Sequence, residues 1–81
     1  MHLEILTPEK KVFDGEVSIV TFPGVNGSFQ VMDNHAPLIS LLHEGVVEYK
    51  GKGASAKVSI LGGVVEVLKN KVIVLATGIA A

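Results

Sequence analysis

Apolar and polar residues alternate in short runs along most of this chain, with a period of two rather than 3.6. His2 to Leu6 sets the pattern, with Leu3 and Ile5 in one phase and Glu4 in the other. Thr7-Pro8-Glu9-Lys10 interrupts it, because proline cannot donate to a strand ladder. Lys11-Val12-Phe13 is a second run, closed by the turn signal Asp14-Gly15. Glu16 to Phe22 is a third. Pro23 to Gly27 reads as a loop whose glycines can take positive φ, and Ser28 to Met32 as a fourth strand before a turn at Asp33-Asn34. Pro37 to Leu42, Val46 to Lys50, Ser55 to Leu61, Gly63 to Leu68 and Lys71 to Thr77 supply the rest. Gly51 to Ser55 reads as an exposed hairpin loop.

Strands rich in Val, Ile, Thr and Phe, with turns at such short spacing, predict an all-β sandwich or barrel. The nearest helical window, Leu38 to Glu44, is short and uncapped. With no helical crossovers the pairing should be mainly antiparallel. No repeat or linker divides the chain, so residues 1–81 form a single domain.

The alternation fails in informative places. Val17 and Ile19 are apolar in one phase and Val20 and Phe22 in the other. Leu38, Ile39, Leu41 and Leu42 fill both phases, and Val72 to Ala76 is apolar throughout. A sandwich strand with one wet face should alternate cleanly. These strands are therefore expected to be covered on both sides, the second cover coming from a partner or another copy.

Composition sharpens that expectation. The 81 residues are 48% hydrophobic and the mean hydropathy is +0.50. A body this small buries only about 60% of its unfolded surface, so an apolar patch left outside reads as an interface. There is no cysteine to make a disulfide or a thiolate metal site. The net charge of −1 gives no field for nucleic acid, and all seven cations are lysine. Aromatics are only 5%, too few for a base-stacking platform. No basic stretch with an apolar core opens the chain, and the run Val72 to Ala76 is too short to span a bilayer. A soluble, cytosolic protein is the simplest expectation.

Candidate chemistry is thin. Asp33-Asn34-His35 has the residue types of an acid–base pair, but no Ser, Cys or second carboxylate completes a catalytic set. A loop-ordering role is the better expectation. His35, His43 and Glu44 do not converge at zinc-ligand spacing. Gly24 to Ser28 lacks the helix and the Lys-Ser/Thr pair of a phosphate loop. Gly62-Gly63 reads as a bulge or a close approach of two backbones.

Two elements carry a family likeness: Gly27-Ser28-Phe29-Gln30-Val31 running into His35-Ala36-Pro37-Leu38, and Gly62-Gly63-Val64-Val65-Glu66-Val67 followed by Val72 to Ala76. With His2-Leu3-Glu4-Ile5-Leu6-Thr7-Pro8-Glu9-Lys10 and Phe13-Asp14-Gly15-Glu16-Val17, they resemble the N-terminal β-domain of the ε subunit of F-type ATP synthases. The likeness runs from His2 to Thr77. It implies a flattened antiparallel β-sandwich of about ten short strands and a noncatalytic role without cofactor. The domain would pack between the γ subunit and the c-ring and couple ring rotation to ATP synthesis. It would sit at the cytoplasmic face of the bacterial plasma membrane as a peripheral subunit, without entering the bilayer. Carried over by position, Thr7, His35, Leu38, Ile39 and Ser40 face γ, and Asn26, Gly27 and Ser28 lie in the loop directed at the c-ring. Ser28 stands where many relatives have a glutamate and Gln30 where glycine is common, so that contact should be less electrostatic. Typical relatives continue into a helical pair that can inhibit ATP hydrolysis and bind ATP. Nothing follows Ala81, so both properties are expected to be absent, and the native-looking Met1 points to a naturally short form. The rival expectation is a freestanding β-barrel that binds a small ligand or self-associates. Its weakness is the shortage of polar groups to orient a ligand.

Overall fold

A computed structural model describes residues 1–80. Nine strands follow one another: β1 (His2–Leu6), β2 (Lys11–Glu16), β3 (Ile19–Gly24), β4 (Gly27–Met32), β5 (Leu38–Leu42), β6 (Gly45–Gly51), β7 (Ala54–Ile60), β8 (Gly63–Leu68) and β9 (Lys71–Ala76). They form one continuous curled sheet in the order β2-β1-β9-β8-β5-β3-β6-β7, with β4 on the other edge of β3. β3 pairs with β6 through Ile19 to Thr21 but with β5 only at Gly24, opposite Leu42. The sheet therefore folds over at that joint into two layers, β2-β1-β9-β8-β5 and β4-β3-β6-β7. The body measures 28 × 25 × 19 Å, a flattened sandwich.

Between the layers lie Leu3, Ile5, Val20, Phe22, Val31, Val47, Ile60, Val65, Val72 and Val74, all fully buried. No polar side chain is buried among the described residues. A core of branched residues without polar atoms suits a stiff body, because close-packed interiors deform little.

The turns follow local chemistry. Lys52-Gly53 and Lys69-Asn70 each have positive φ at both central residues, the two-residue geometry that matches strand twist. Gly62 and Gly63 have φ of 147° and 150°. A Cβ on Gly63 would strike the Leu75 carbonyl oxygen, so the glycine pair is the close approach its sequence indicates.

The all-β, mainly antiparallel fold agrees with the sequence reading, and the strand boundaries depart from it in two places. The described strands number nine, close to the ten that the resemblance implies, and Ile60 with Ile79 adds a single bridge. One pair is parallel, β1 with β9, which places the first strand beside the last. Asp14-Gly15 is not a turn but lies inside β2, and Pro23-Gly24 lies inside β3, so the actual β3–β4 turn is Val25-Asn26. Finally, Val17 to Phe22 is not one strand covered on both sides. The chain breaks at Val17-Ser18 between β2 and β3, and that slip of phase lets Val17, Val20 and Phe22 all turn inward.

Candidate functional site

The doubled apolar phase is real in β5 and β9, and it defines a surface. Strand pairing sets Leu41 beside Val64, Val64 beside Leu75, and Leu75 beside Leu6. Leu41 is 63% exposed and Leu75 51%, with Val64 and Leu6 half-buried between and beside them. One pleat along, Ile39 (71% exposed) pairs with Glu66 and Glu66 with Ile73. Leu68, also exposed, continues the face. An apolar stripe thus crosses four strands on the outer side of the five-stranded layer. Two hollows lie on it, of ≈ 260 Å³ between Glu66, Leu68, Lys71 and Ile73 and ≈ 420 Å³ between Pro37, Ile39, Glu66 and Leu68.

The outer side of the other layer differs. Its paired positions are Thr21 with Gln30 and Glu48, Pro23 with Ser28, Glu48 with Lys57, and Lys50 with Ser55. Apart from Ile19 beside Met32, Pro23 and Val46, that surface is polar. A stripe of apolar side chains running across several strands is found on the five-stranded layer.

Charge flanks the stripe on the β1–β2 side. Lys71 and Lys11 approach Glu4 at 3.5 and 3.6 Å, and Lys11 Nζ donates to Asp14 at 2.8 Å. The His2 ring is held between Glu16 (2.9 Å) and Asp14 (2.6 Å). The hydrogen bond to Glu16, with Asp14 adding to it, raises the His2 pKa above its ordinary 6.5. Asp14 is lowered below its ordinary 3.8, chiefly by the Lys11 hydrogen bond.

The family-derived positions scatter over this frame. Ile39 lies on the stripe. Leu38 has the opposite parity and packs against the core, and Ser40 shares its half-buried side, its hydroxyl donating to the Leu41 carbonyl. Thr7 closes the β1–β2 turn, its Oγ1 bonded to both the N–H and the carbonyl of Lys10. His35 is exposed in the loop after β4, which is tied to the β8–β9 turn by the Asn34 N–H donating to Asn70 Oδ1 at 2.8 Å. Following the register, Thr7 and His35 come out at opposite ends of the β1–β9 pair. Asn26, Gly27 and Ser28 form the exposed tip of the β3–β4 hairpin, at the Thr7 end. Sequence reasoning marked Leu41 and Leu75 within runs expected to be covered on both sides without naming them as site residues, and missed Leu6, Val64, Glu66 and Leu68. Their signal was an outward apolar phase, but which strands lie side by side was not legible.

Nothing here assembles a reaction centre. Asp33 does not turn to His35; its Oδ1 accepts from the Met1 ammonium at 2.6 Å. The His35 and His43 rings bond the carbonyls of Ala36 and Glu44 beside them. Among the described residues no group of three or more His, Asp or Glu side chains is arranged to hold a metal. A slot of ≈ 280 Å³ opens where the sheet's two ends meet, walled by Phe13, Val17, Tyr49, Ala54 and Ala56. It has few polar groups to orient a ligand, as the barrel rival would require.

The whole chain, residues 1–81, matches the family model described as the ATP synthase Delta/Epsilon chain, beta-sandwich domain. The chain belongs to that family. It is 47% identical over 75 residues to the ATP synthase epsilon chain of Pelotomaculum thermopropionicum, covering 93% of this chain and 56% of that one. For the epsilon chain of Campylobacter curvus the figures are 43% over 79 residues, 96% and 61%. This chain thus spans somewhat more than half the length of these curated relatives. The fold is shared with a chain of the central stalk/c-ring structure of the Tetrahymena thermophila mitochondrial ATP synthase (TM-score 0.83, 22% identity, 99% of this chain and 65% of that one). It is shared as well with a chain of the Euglena gracilis mitochondrial ATP synthase (TM-score 0.89, 20% identity, 96% and 51%). In delta/epsilon-family terms, the nine strands are the beta-sandwich domain, and no helix among the described residues is long and apolar enough to cross a membrane.

Proposed function

We propose that this chain acts as the β-sandwich part of an ATP synthase ε subunit, a noncatalytic piece of the rotor. It packs against the γ subunit and the c-ring, so that rotation of the ring reaches the catalytic head. The observation that carries this reading is the apolar stripe Leu41–Val64–Leu75–Leu6, present on one face only, in a chain of the delta/epsilon family. We assign that face to γ, with Ile39 at its edge. Thr7 and His35 border it at either end, and Leu38 and Ser40 support it from beneath. The hairpin tip Asn26-Gly27-Ser28 is the c-ring contact, polar and uncharged in this chain. A peripheral position at the cytoplasmic face of a bacterial plasma membrane follows from the same reading and from the bacterial relatives.

The test is binding of the purified chain to the γ subunit of the same synthase, followed by analytical ultracentrifugation. Leu75→Asp and Ile39→Asp keep the fold, since both side chains are mostly exposed. Each weakens the complex, Leu75→Asp by about tenfold or more as a central position and Ile39→Asp by less because it lies at the edge. Lys57→Asp, on the polar face, leaves it unchanged. Equal binding by all three variants would remove the stripe from the interface.

A further inference from the structure

Three of the four carboxylates on the outer side of the five-stranded layer have a basic group beside them. Glu4 has Lys11 and Lys71, Asp14 has Lys11 and His2, and Glu16 has His2. Glu66 is the exception, with no basic group of the described residues in ion-pairing range. Its cross-strand surroundings are apolar, although Lys69 and Lys71 line the β9-side hollow, Lys71 with its ammonium directed to Glu4. Ile39 and Ile73 are its cross-strand neighbours, while Val64 and Leu68 precede and follow it on the same side of β8. The two hollows open on either side of it, one toward β5 and one toward β9.

In water that arrangement costs nothing, because Glu66 is exposed. Once the face is covered it becomes expensive, since a carboxylate removed from water without a partner carries a desolvation penalty of several kcal/mol. A purely apolar cover is therefore selected against, and a cover that brings a cation is selected for.

Resting on the assignment of this face to γ, we infer that Glu66 is the partner-selecting residue of the docking surface. The segment of γ that seats there carries one arginine or lysine between two apolar side chains. The cation meets Glu66 and the apolar groups fill the hollows. The dimensions suit a helix laid across the strands. β5 and β9 lie about 4.8 Å to either side of β8, and helix side chains three or four residues apart are about 5–6 Å from each other. A pattern of apolar, cation and apolar at such spacing meets all three points at once. Arginine fits best, because its planar fork pairs with a carboxylate through two hydrogen bonds.

The experiment measures γ binding by calorimetry at low and high salt for the wild-type chain, Glu66→Gln, Glu66→Lys and Glu66→Leu, with Leu75→Asp alongside. All Glu66 variants change an exposed position, and far-ultraviolet circular dichroism verifies their folds. The expected result is a loss of about tenfold or more for Glu66→Gln, and a larger one for Glu66→Lys, as for a buried charge pair deprived of one member. The salt dependence of the wild-type complex flattens in Glu66→Gln. If Glu66→Gln and Glu66→Leu bind as tightly as wild type or tighter while Leu75→Asp still breaks the complex, the cover is wholly apolar. The selecting role of Glu66 is then wrong and the γ-facing stripe stands. If Leu75→Asp binds normally, the stripe is not the docking face and both readings fall.

Discussion

At the scale of single residues, backbone space decides more than side-chain chemistry. Gly63 has φ 150° and faces the Leu75 carbonyl oxygen, with the Ala76 Cα also within 2.9 Å of a Cβ built there. Gly63→Ala is expected to cost about 3 kcal/mol or more, combining backbone strain with a clash that neither strand can relieve alone. In a domain of this size that lowers the melting temperature by more than about 10 °C. Gly27 is the control. Its φ is 123° but a Cβ would meet nothing within 4 Å, so Gly27→Ala costs only about 1 kcal/mol of strain. Thermal melts of the two variants check the pair. The Gly62-Gly63 constraint was legible from sequence because two glycines between apolar runs have few other uses. The parity of neighbours was legible too, though the family carry-over ignored it. Leu38 and Ile39 are adjacent in a strand and so face opposite sides, Ile39 outward and Leu38 half-buried against the core.

At the scale of elements, β2 pairs with β1 alone, Val12 and Phe13 pack on the core, and ion pairs fasten the two strands. The His2 ring bridges Asp14 and Glu16 of β2, and Lys11 reaches Asp14 and Glu4, with Lys71 of β9 on the far side of Glu4. Because the folded His2 pKa is raised, its stabilising effect is complete below 6.5 and disappears as pH rises through the raised value. Because that of Asp14 is lowered, its effect is present above 3.8 and disappears as pH falls through the lowered value. The fastening is therefore strongest between those limits, in mildly acidic solution. Urea midpoints of the wild-type chain are expected to fall slightly from pH 6 to pH 8.5, and those of His2→Gln are not. Strand identity was legible from the period-two pattern, but strand ends were not. Asp14-Gly15 and Pro23-Gly24 carry turn residues yet continue as strands, because β1 and β4 supply register partners for each of them. Tertiary pairing overrides local turn preference there.

At the scale of the molecule, the two layers have different tasks. The five-stranded layer turns its apolar stripe outward, and the four-stranded layer closes the core from behind with a polar back. Bare edges remain along β2, β4 and most of β7, whose far end alone is bridged, by Ile79 to Ile60. Stability should follow this plan, since amides opened only by global unfolding lie in doubly flanked strands. Hydrogen exchange is expected to be slowest in β1, β8 and β9 and fastest along the outer edges of β4 and β7. Equal protection throughout would mean that the layers open as one unit. The two-layer plan was predictable from the periodicity. The face that would be left bare was not, because it depends on β5, β8, β9 and β1 lying side by side. The chain order 5, 8, 9, 1 gives no local hint of that.

That order governs how the molecule comes into being on the ribosome. The first of the nine described strands, β1, reaches the five-stranded layer only through the ninth, β9. Until β9 emerges, the first hairpin has nothing to lean on and the layer remains incomplete. Non-local pairing of this kind is slow to nucleate, because the loop must close before the contacts repay it. A nascent chain halted before Lys71 therefore offers no finished stripe, because β8 then lacks Leu75 beside Val64 and β1 has no β9 to join.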